Sequence, residues 1–256
     1  MKQVWALIPL KDLASAKTRL SSALDAEARR SLALAMAIDV ATAMMHSHAV
    51  DRVIMVSDIP NLEQLIEIEG IGYFDTGQAQ GLNEDLETAA AWAAAQGATH
   101  VLIAHADLPW LTPRAIERFV FEACDLPASR LRAAACKEGC GTNLLLAPLP
   151  LPLPLVFGKN SLARFCQSAA AVKVAIDVIR NASLAADIDE PGDLRILAAA
   201  CTRGKRAGRA TTDFLLSTMP ASTEIGEYPE PEVWPPGIFY YAARKELALI
   251  KKRAHG

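Results

Sequence analysis

The chain has 256 residues, 52% hydrophobic and 21% charged, which is enough apolar material for a substantial core and argues against a disordered protein. Its 26 Lys and Arg against 29 Asp and Glu give a formal net charge of −3, which argues against a broad nucleic-acid or anionic-membrane surface and points to small partners. No apolar run approaches the roughly 20 residues of a membrane helix, and MKQVWALIPLK runs into a strand instead of a secretory leader, so the expected setting is cytoplasmic, with no membrane and no nucleic acid.

The first element is expected at residues 4–9, a short Val-, Leu- and Ile-bearing run of the kind buried on both faces of a parallel sheet. Asp25 can cap a helix in which Leu32, Met36, Val40 and Ala43 recur at helical spacing. Strands follow at 52–57 and 101–104, with a helix between them that Asn83 can cap and that ends before Gly97. Thr112 followed by Pro113 starts a third helix, and 173–179 reads as a further strand. This alternation predicts an α/β domain with an open, mostly parallel sheet covered by helices and ligands beyond the carboxyl ends of the strands. No internal repeat is visible. PLPLPLP at 148–154 is an extended connector, because alternate prolines lack backbone donors. Beyond about Cys201 the chain turns basic at 203–209 and then polar, with Pro220, Pro229, Pro231, Pro235 and Pro236. The expected organisation is therefore a domain over 1–202 and, over 203–256, a proline-rich linker with a terminal helix near 239–253 that either faces solvent or docks on a partner.

Charged residues cluster where strands end. IPLKDLASAKTRL places Lys11, Lys17 and Arg19 just after the first strand; each alone reads as a solvated loop charge. VLIAHADLP puts Asp107 shortly after a buried strand, with Pro109 stopping the pattern, so its carboxylate is aimed at the ligand crevice. In AADIDEPGDL, Asp187 and Asp189 are two positions apart and share one face when extended. Oxygen ligands of this kind suit Mg2+, although Asp189 alone also fits a helix cap before Pro191. His105 reads as a positional neighbour of Asp107, and Asp58, at the end of the second strand, either faces a ligand or caps the turn at Pro60. Cys124, Cys136, Cys140, Cys166 and Cys201 lack paired spacing and are expected as free thiols. No Ser/His/Asp or Cys/His nucleophile arrangement stands out, and no G-x-G-x-x-G follows a strand.

IPLKDLASAKTRL, GLN at 81–83, ADLP at 106–109, GTN at 141–143, FGKNS at 157–161 and DIDEPGDL at 187–194 occur in an order that resembles the phospholactate/phosphoenolpyruvate guanylyltransferases of coenzyme F-420 biosynthesis. The resemblance covers about residues 4–200. It implies a Rossmann-like, glycosyltransferase-A type nucleotidyltransferase fold, related to molybdenum-cofactor guanylyltransferases. The implied reaction moves GMP from GTP onto the phosphate of a small phosphorylated acid (phosphoenolpyruvate, 2-phospho-L-lactate or 3-phospho-D-glycerate) and releases pyrophosphate. On that reading Lys17, Arg19 and Asp107 are catalytic. Lys11, Lys17 and Arg19 embrace the triphosphate, Gly81 and Asn83 adjoin the nucleotide, and Asn83 equally serves as a cap. Thr142, Gly158 and Ser161 hold the acceptor, Ser161 being also a candidate cap, while Asp107, Asp187 and Asp189 bind Mg2+. A homodimer or a pathway-enzyme partner is a use for the C-terminal extension. The chain departs from expectation at ACKEGC, where Lys137 and Glu138 stand in place of a more basic loop.

Overall fold

The computed structural model describes residues 2–11, 13, 16–77, 80–121, 130–205, 207–218 and 241–242. Its first half comprises β1 (Val4–Pro9), α1 (Ala26–Met45), β2 (Arg52–Ser57), the short α2 (Leu62–Leu65), β3 (Gly72–Asp75), α3 (Leu82–Ala95), β4 (His100–Ala104) and α4 (Pro113–Phe121). The second half comprises β5 (Leu131–Ala135), β6 (Thr142–Pro148), α5 (Ser161–Ala171), β7 (Ile176–Ile179), the short α6 (Ala182–Ala185), α7 (Pro191–Thr202), α8 (Arg209–Thr218) and β8 (Tyr241–Ala242).

The strands form one sheet in the order β3-β2-β1-β4-β6-β5-β7-β8. β1 pairs in parallel with β2 and β4, β2 with β3, and β5 with β7. β6 runs antiparallel to both neighbours, and β8 antiparallel to β7. The expected mostly parallel, helix-covered sheet is therefore present. β1 alternates its side chains between two cores: Val4, Ala6 and Ile8 pack with α1 and α4, while Trp5 and Leu7 pack with α3 and α5. α1 is buried on more than one side, because Leu32 and Met36 turn away from the sheet to meet Leu194, Leu197 and Leu215 of α7 and α8. The chain leaves β1 toward β2 on one side and β4 on the other, which opens a crevice beyond their carboxyl ends.

Local chemistry sets most boundaries where expected. Asp25 accepts from Ala28 N at 2.8 Å and caps α1, and Thr112 Oγ1 accepts from Ala115 N at 3.2 Å at the start of α4. Three boundaries differ. β7 begins only at Ile176, because Lys173 adopts a left-handed φ of 59° that closes the turn after α5. α3 begins at Leu82 behind Gly81 (φ 139°), so Asn83 lies inside the first turn and is not its cap. The connector at 148–154 is extended as expected, except that Pro148 still closes β6; it runs along α3, where Leu155 N donates to Glu87 Oε1 at 2.6 Å.

The larger difference lies beyond residue 202. The stretch read as linker contains α8, which packs on α1 and α7 with Leu215 buried in their shared core. Asp39 of α1, itself buried, accepts from Ala210 N (2.9 Å) and Thr211 N (2.8 Å) and so satisfies the first amides of α8. Gly208 makes this contact possible, since a Cβ there would stand 2.0 Å from Asp39 Cγ. Gly208 N also donates to Pro109 O at 2.8 Å. The packed unit thus runs past the expected boundary through Thr218. At 241–242 the chain forms β8 in place of the helix expected over 239–253; the rest of that helix, Pro220, Pro229, Pro231, Pro235, Pro236 and Cys124 lie outside the described residues.

Asp39→Ala is expected to lose about 1–2 kcal/mol in urea unfolding, the cost of an N-terminal amide partner, and Gly208→Ala to lose more. Burial raises the Asp39 carboxyl above its ordinary value despite the two amides. The folded protein therefore holds a proton that the unfolded chain has already released, so wild-type stability relative to Asp39→Asn should decline as pH rises from about 4 through the folded midpoint. A difference that grows with pH over that range overturns the assignment.

Candidate active site

The loop after β1 reaches the crevice through Lys17, whose backbone is left-handed (φ 53°, ψ 39°), and is pinned behind it by a turn of 3-10 helix, Thr18–Leu20, that buries Leu20. Lys17 Nζ donates to Asp107 Oδ2 at 2.6 Å and to Asp189 Oδ1 at 2.8 Å. The two carboxylates come from the loop after β4 and the loop before α7, and Ile188 N joins those loops by donating to Asp107 O at 3.3 Å. The Lys17 side chain is 11% exposed. Burial alone would pull its ammonium down, but Asp107 and Asp189 outweigh that and hold it above the ordinary lysine value. For Asp107, burial pushes upward while Lys17, with a smaller contribution from His105, keeps the carboxyl below the usual range.

The acidic loop has its own support. Asp193 Oδ2 accepts from Asp189 N (3.0 Å) and Glu190 N (2.8 Å) and pairs with Lys137 Nζ at 2.6 Å. Lys137 also donates to Asp187 O at 3.3 Å, and Asn143 Nδ2 approaches Asp187 Oδ1 at 3.4 Å. Asp189 is therefore not the cap of α7; Glu190 occupies that position. Burial, then the negative Asp107, pushes the Asp187 carboxyl up to about 6.

A cavity of about 520 Å³ opens at this point, lined among others by Lys11, Lys17, Arg19, His105, Asp107 and Asp189. Arg19 stands on its exposed side. Lys11 is not an open phosphate ligand: it forms an ion pair with Asp85 of α3, a buried carboxylate the sequence reading passed over. Burial lowers the His105 imidazole below its ordinary value, against the pull of Asp107.

Gly81, Asn83, Thr142, Gly158, Ser161 and Asp187 do not line this cavity. Asn83 spends both ends of its amide on Phe157, accepting from its N at 2.8 Å and donating to its O at 3.3 Å, and so tethers α3 to the loop that carries Gly158. Phe157 meets the His105 ring at 5.5 Å, which links that loop to the cavity wall. Gly158 has φ +112° and open space where a Cβ would stand. Ser161 is buried as the first residue of α5, whose N-cap is Asn160, and its N donates to Gly158 O at 3.1 Å. Leu162 N donates to Cys140 O at 3.1 Å, drawing this helix start toward the turn before Thr142, which is buried with its hydroxyl unpaired. Asp58 lies outside the cavity, and Cys136, Cys140, Cys166 and Cys201 are unbridged.

Among the described residues no three His, Cys, Asp or Glu side chains converge closely enough to hold a metal ion, and the Lys17 ammonium stands between Asp107 and Asp189. The donor set nevertheless fits a hard divalent cation. All its atoms are carboxylate oxygens, Asp107 Oδ1 is buried without a hydrogen-bond partner, and Asp187 already feels the charge of Asp107. One or two carboxylates suffice for Mg2+ when phosphates and water complete its shell.

Comparisons with known proteins give the family and the fold. Residues 4–216 match the family model described as guanylyl transferase, CofC like. A phosphoenolpyruvate guanylyltransferase of Sphaerobacter thermophilus is 35% identical over 75% of this chain and 91% of its own length. One from Conexibacter woesei is 32% identical over 84% and 96%. A 2-phospho-L-lactate guanylyltransferase of Methanocorpusculum labreanum is 30% identical over 74% and 80%. Among solved structures, a protein described as a nucleotide-diphospho-sugar transferase from Desulfovibrio desulfuricans superposes with a TM-score of 0.68 at 15% identity, covering 85% of this chain and 95% of its own. A Methanothermobacter nucleotidyl transferase gives 0.55 at 15%, covering 80% and 100%. These two similarities carry the fold.

Side-chain NMR of 13C-labelled aspartate should find one carboxyl, Asp187, titrating near 6 in the metal-free protein. In Asp107→Asn its midpoint should fall part of the way toward the ordinary carboxyl value, because one of its three upward causes, burial and the charges of Asp107 and Asp189, is gone. An unmoved midpoint would exclude Asp107 and leave burial and Asp189 as the causes.

Proposed function

The chain belongs to the CofC-like guanylyl transferase family, and from that premise we propose that it moves GMP from GTP onto the phosphate of a small phosphorylated acid, releasing pyrophosphate, in coenzyme F-420 biosynthesis. The observation that carries the reading is the meeting of Lys17 with Asp107 and Asp189 on the wall of one cavity beyond β1 and β4. A cation beside paired carboxylates is what a phosphoryl site requires, where anions must be brought together and aligned. The names of the bacterial relatives favour phosphoenolpyruvate as the acceptor.

The acceptor needs no general base. A phosphomonoester is largely dianionic near neutrality, its second pKa being about 6. One of its oxygens attacks the α-phosphorus of GTP; the new O–P bond forms as the bond from the α-phosphorus to the bridging oxygen breaks, and the electron pair leaves with pyrophosphate. Lys17 and Arg19 take up charge on the β- and γ-phosphates and on the departing pyrophosphate, Lys as a point charge and Arg through a fork of donors. Lys11, neutralised by Asp85, serves to hold the loop against α3. Asp107, Asp187 and Asp189 would hold Mg2+, which supplies charge neutralisation at the transferring phosphoryl group. Asn83 braces the Phe157–Gly158 backbone, and the acceptor carboxylate would meet backbone donors at the open Gly158 turn, with Thr142 and Ser161 buried behind it.

Purified protein with GTP and Mg2+ should release pyrophosphate only when a phosphorylated acid is added, most rapidly with phosphoenolpyruvate among phosphoenolpyruvate, 2-phospho-L-lactate and 3-phospho-D-glycerate. Asp107→Asn should lose roughly two to three orders of magnitude in rate, the usual cost of one stabiliser of transition-state charge. GTP binding without pyrophosphate release for any acceptor would mark a nucleotide-binding protein instead.

A further inference from the structure

We propose that in the free protein the Lys17 ammonium occupies the divalent-cation position between Asp107 and Asp189, and that nucleotide phosphates open this position by drawing Lys17 away. Metal and nucleotide then enter together. The inference deepens the nucleotidyltransferase reading and rests on it. Its basis is the position of Nζ, 2.6 Å from one carboxylate and 2.8 Å from the other, which leaves no room for a second cation between them. Only 11% of the side chain is exposed, so bulk water contributes little to its charge.

Three observations give Lys17 somewhere to go and the acids something to receive. Lys17, Arg19, Asp107 and Asp189 all line the same cavity, so phosphates bound beside Arg19 compete directly for the ammonium. Asp107 Oδ1 is buried and unpaired, an acceptor that Lys17 leaves unused. Lys17 is also a non-glycine residue at φ 53°, a conformation single residues keep only when tertiary contacts hold them there, and its ion pairs are such contacts. Charge balance sets the order. With Lys17 in place the two carboxylates and one ammonium sum to −1; Lys17 cannot leave unless positive charge replaces it, and a dication brings the sum to zero. Coupling of this kind is reciprocal, so nucleotide tightens metal binding by the factor by which metal tightens nucleotide binding.

The test is Mn2+ binding to the free protein, followed by electron paramagnetic resonance without acceptor, for wild type, Lys17→Met and Lys17→Gln. Wild type should bind Mn2+ weakly alone and at least about tenfold more tightly with GTP, within the ordinary range of coupling. Lys17→Met, as long as lysine but uncharged, should bind Mn2+ alone at least about tenfold more tightly than wild type, with Lys17→Gln in the same direction. Adding Asp107→Asn to Lys17→Met should abolish the gain. Because either variant leaves carboxylates facing each other, Mn2+ should also raise its melting temperature. Metal affinity equal to or below wild type, or a melting temperature unmoved by Mn2+ in both variants, overturns the proposal. Failure of the guanylyl-transfer reading looks different: wild type then releases no pyrophosphate with any acceptor, a result independent of metal binding to the variants.

Discussion

Like charges cannot be gathered in a buried crevice without a counterion, and the site is organised around that constraint. Asp107 and Asp189 lie 90 and 172 positions along the chain from Lys17, yet both converge on its ammonium. Everything nearby serves the convergence: the left-handed turn that carries Lys17 inward, the Ile188 amide that joins the two acid loops, and the Asp193 carboxylate that holds the backbone of Asp189 and Glu190. A second balance operates alongside, where Lys137 neutralises Asp193 and steadies the Asp187 backbone. The unusual Lys137 in the β5–β6 turn thus has a structural use that its place in a supposed acceptor loop did not suggest.

How much of this was legible follows from what a sequence pattern encodes. Position after a buried strand located Asp107 in the crevice, because strand ends in an open parallel sheet face the same way, whereas Lys17 was placed there only by the family resemblance. Spacing paired Asp189 with Asp187, and only the fold shows that Asp189 is the one that meets Lys17 at the cavity. What a pattern does not carry is which charge meets which. Lys11 reads as equivalent to Lys17, but Asp85 lies one turn into α3 and faces the loop, so Lys11 pairs with a helix carboxylate while Lys17 pairs with the two acids of the loops after β4 and before α7. Asn83 in GLN looks like a cap because its position fits one; the left-handed freedom of Gly81 lets the helix start a residue earlier and frees the amide for Phe157.

Secondary structure was lost where composition and burial disagree. β5 (LRAAA) carries helix-forming alanines but is wholly buried between β6 and β7, and pairing overrides propensity. β3 is four residues with a glycine at its start, too short for a period to register. α8 has few apolar side chains, and its attachment depends instead on Thr211, Leu215 and a backbone contact through Gly208. Hydrogen bonds to backbone leave almost no trace in hydropathy.

That attachment alters what counts as the end of the catalytic unit. Gly208 N bonds to Pro109 O, two residues from Asp107, while the residues after it are fastened to α1 by Asp39. α8 is thus a strut across the back of the loop that presents Asp107 to the cavity. The packed unit extends at least through Thr218, closed by a wall the chain returns to build behind motifs it passed about a hundred residues earlier.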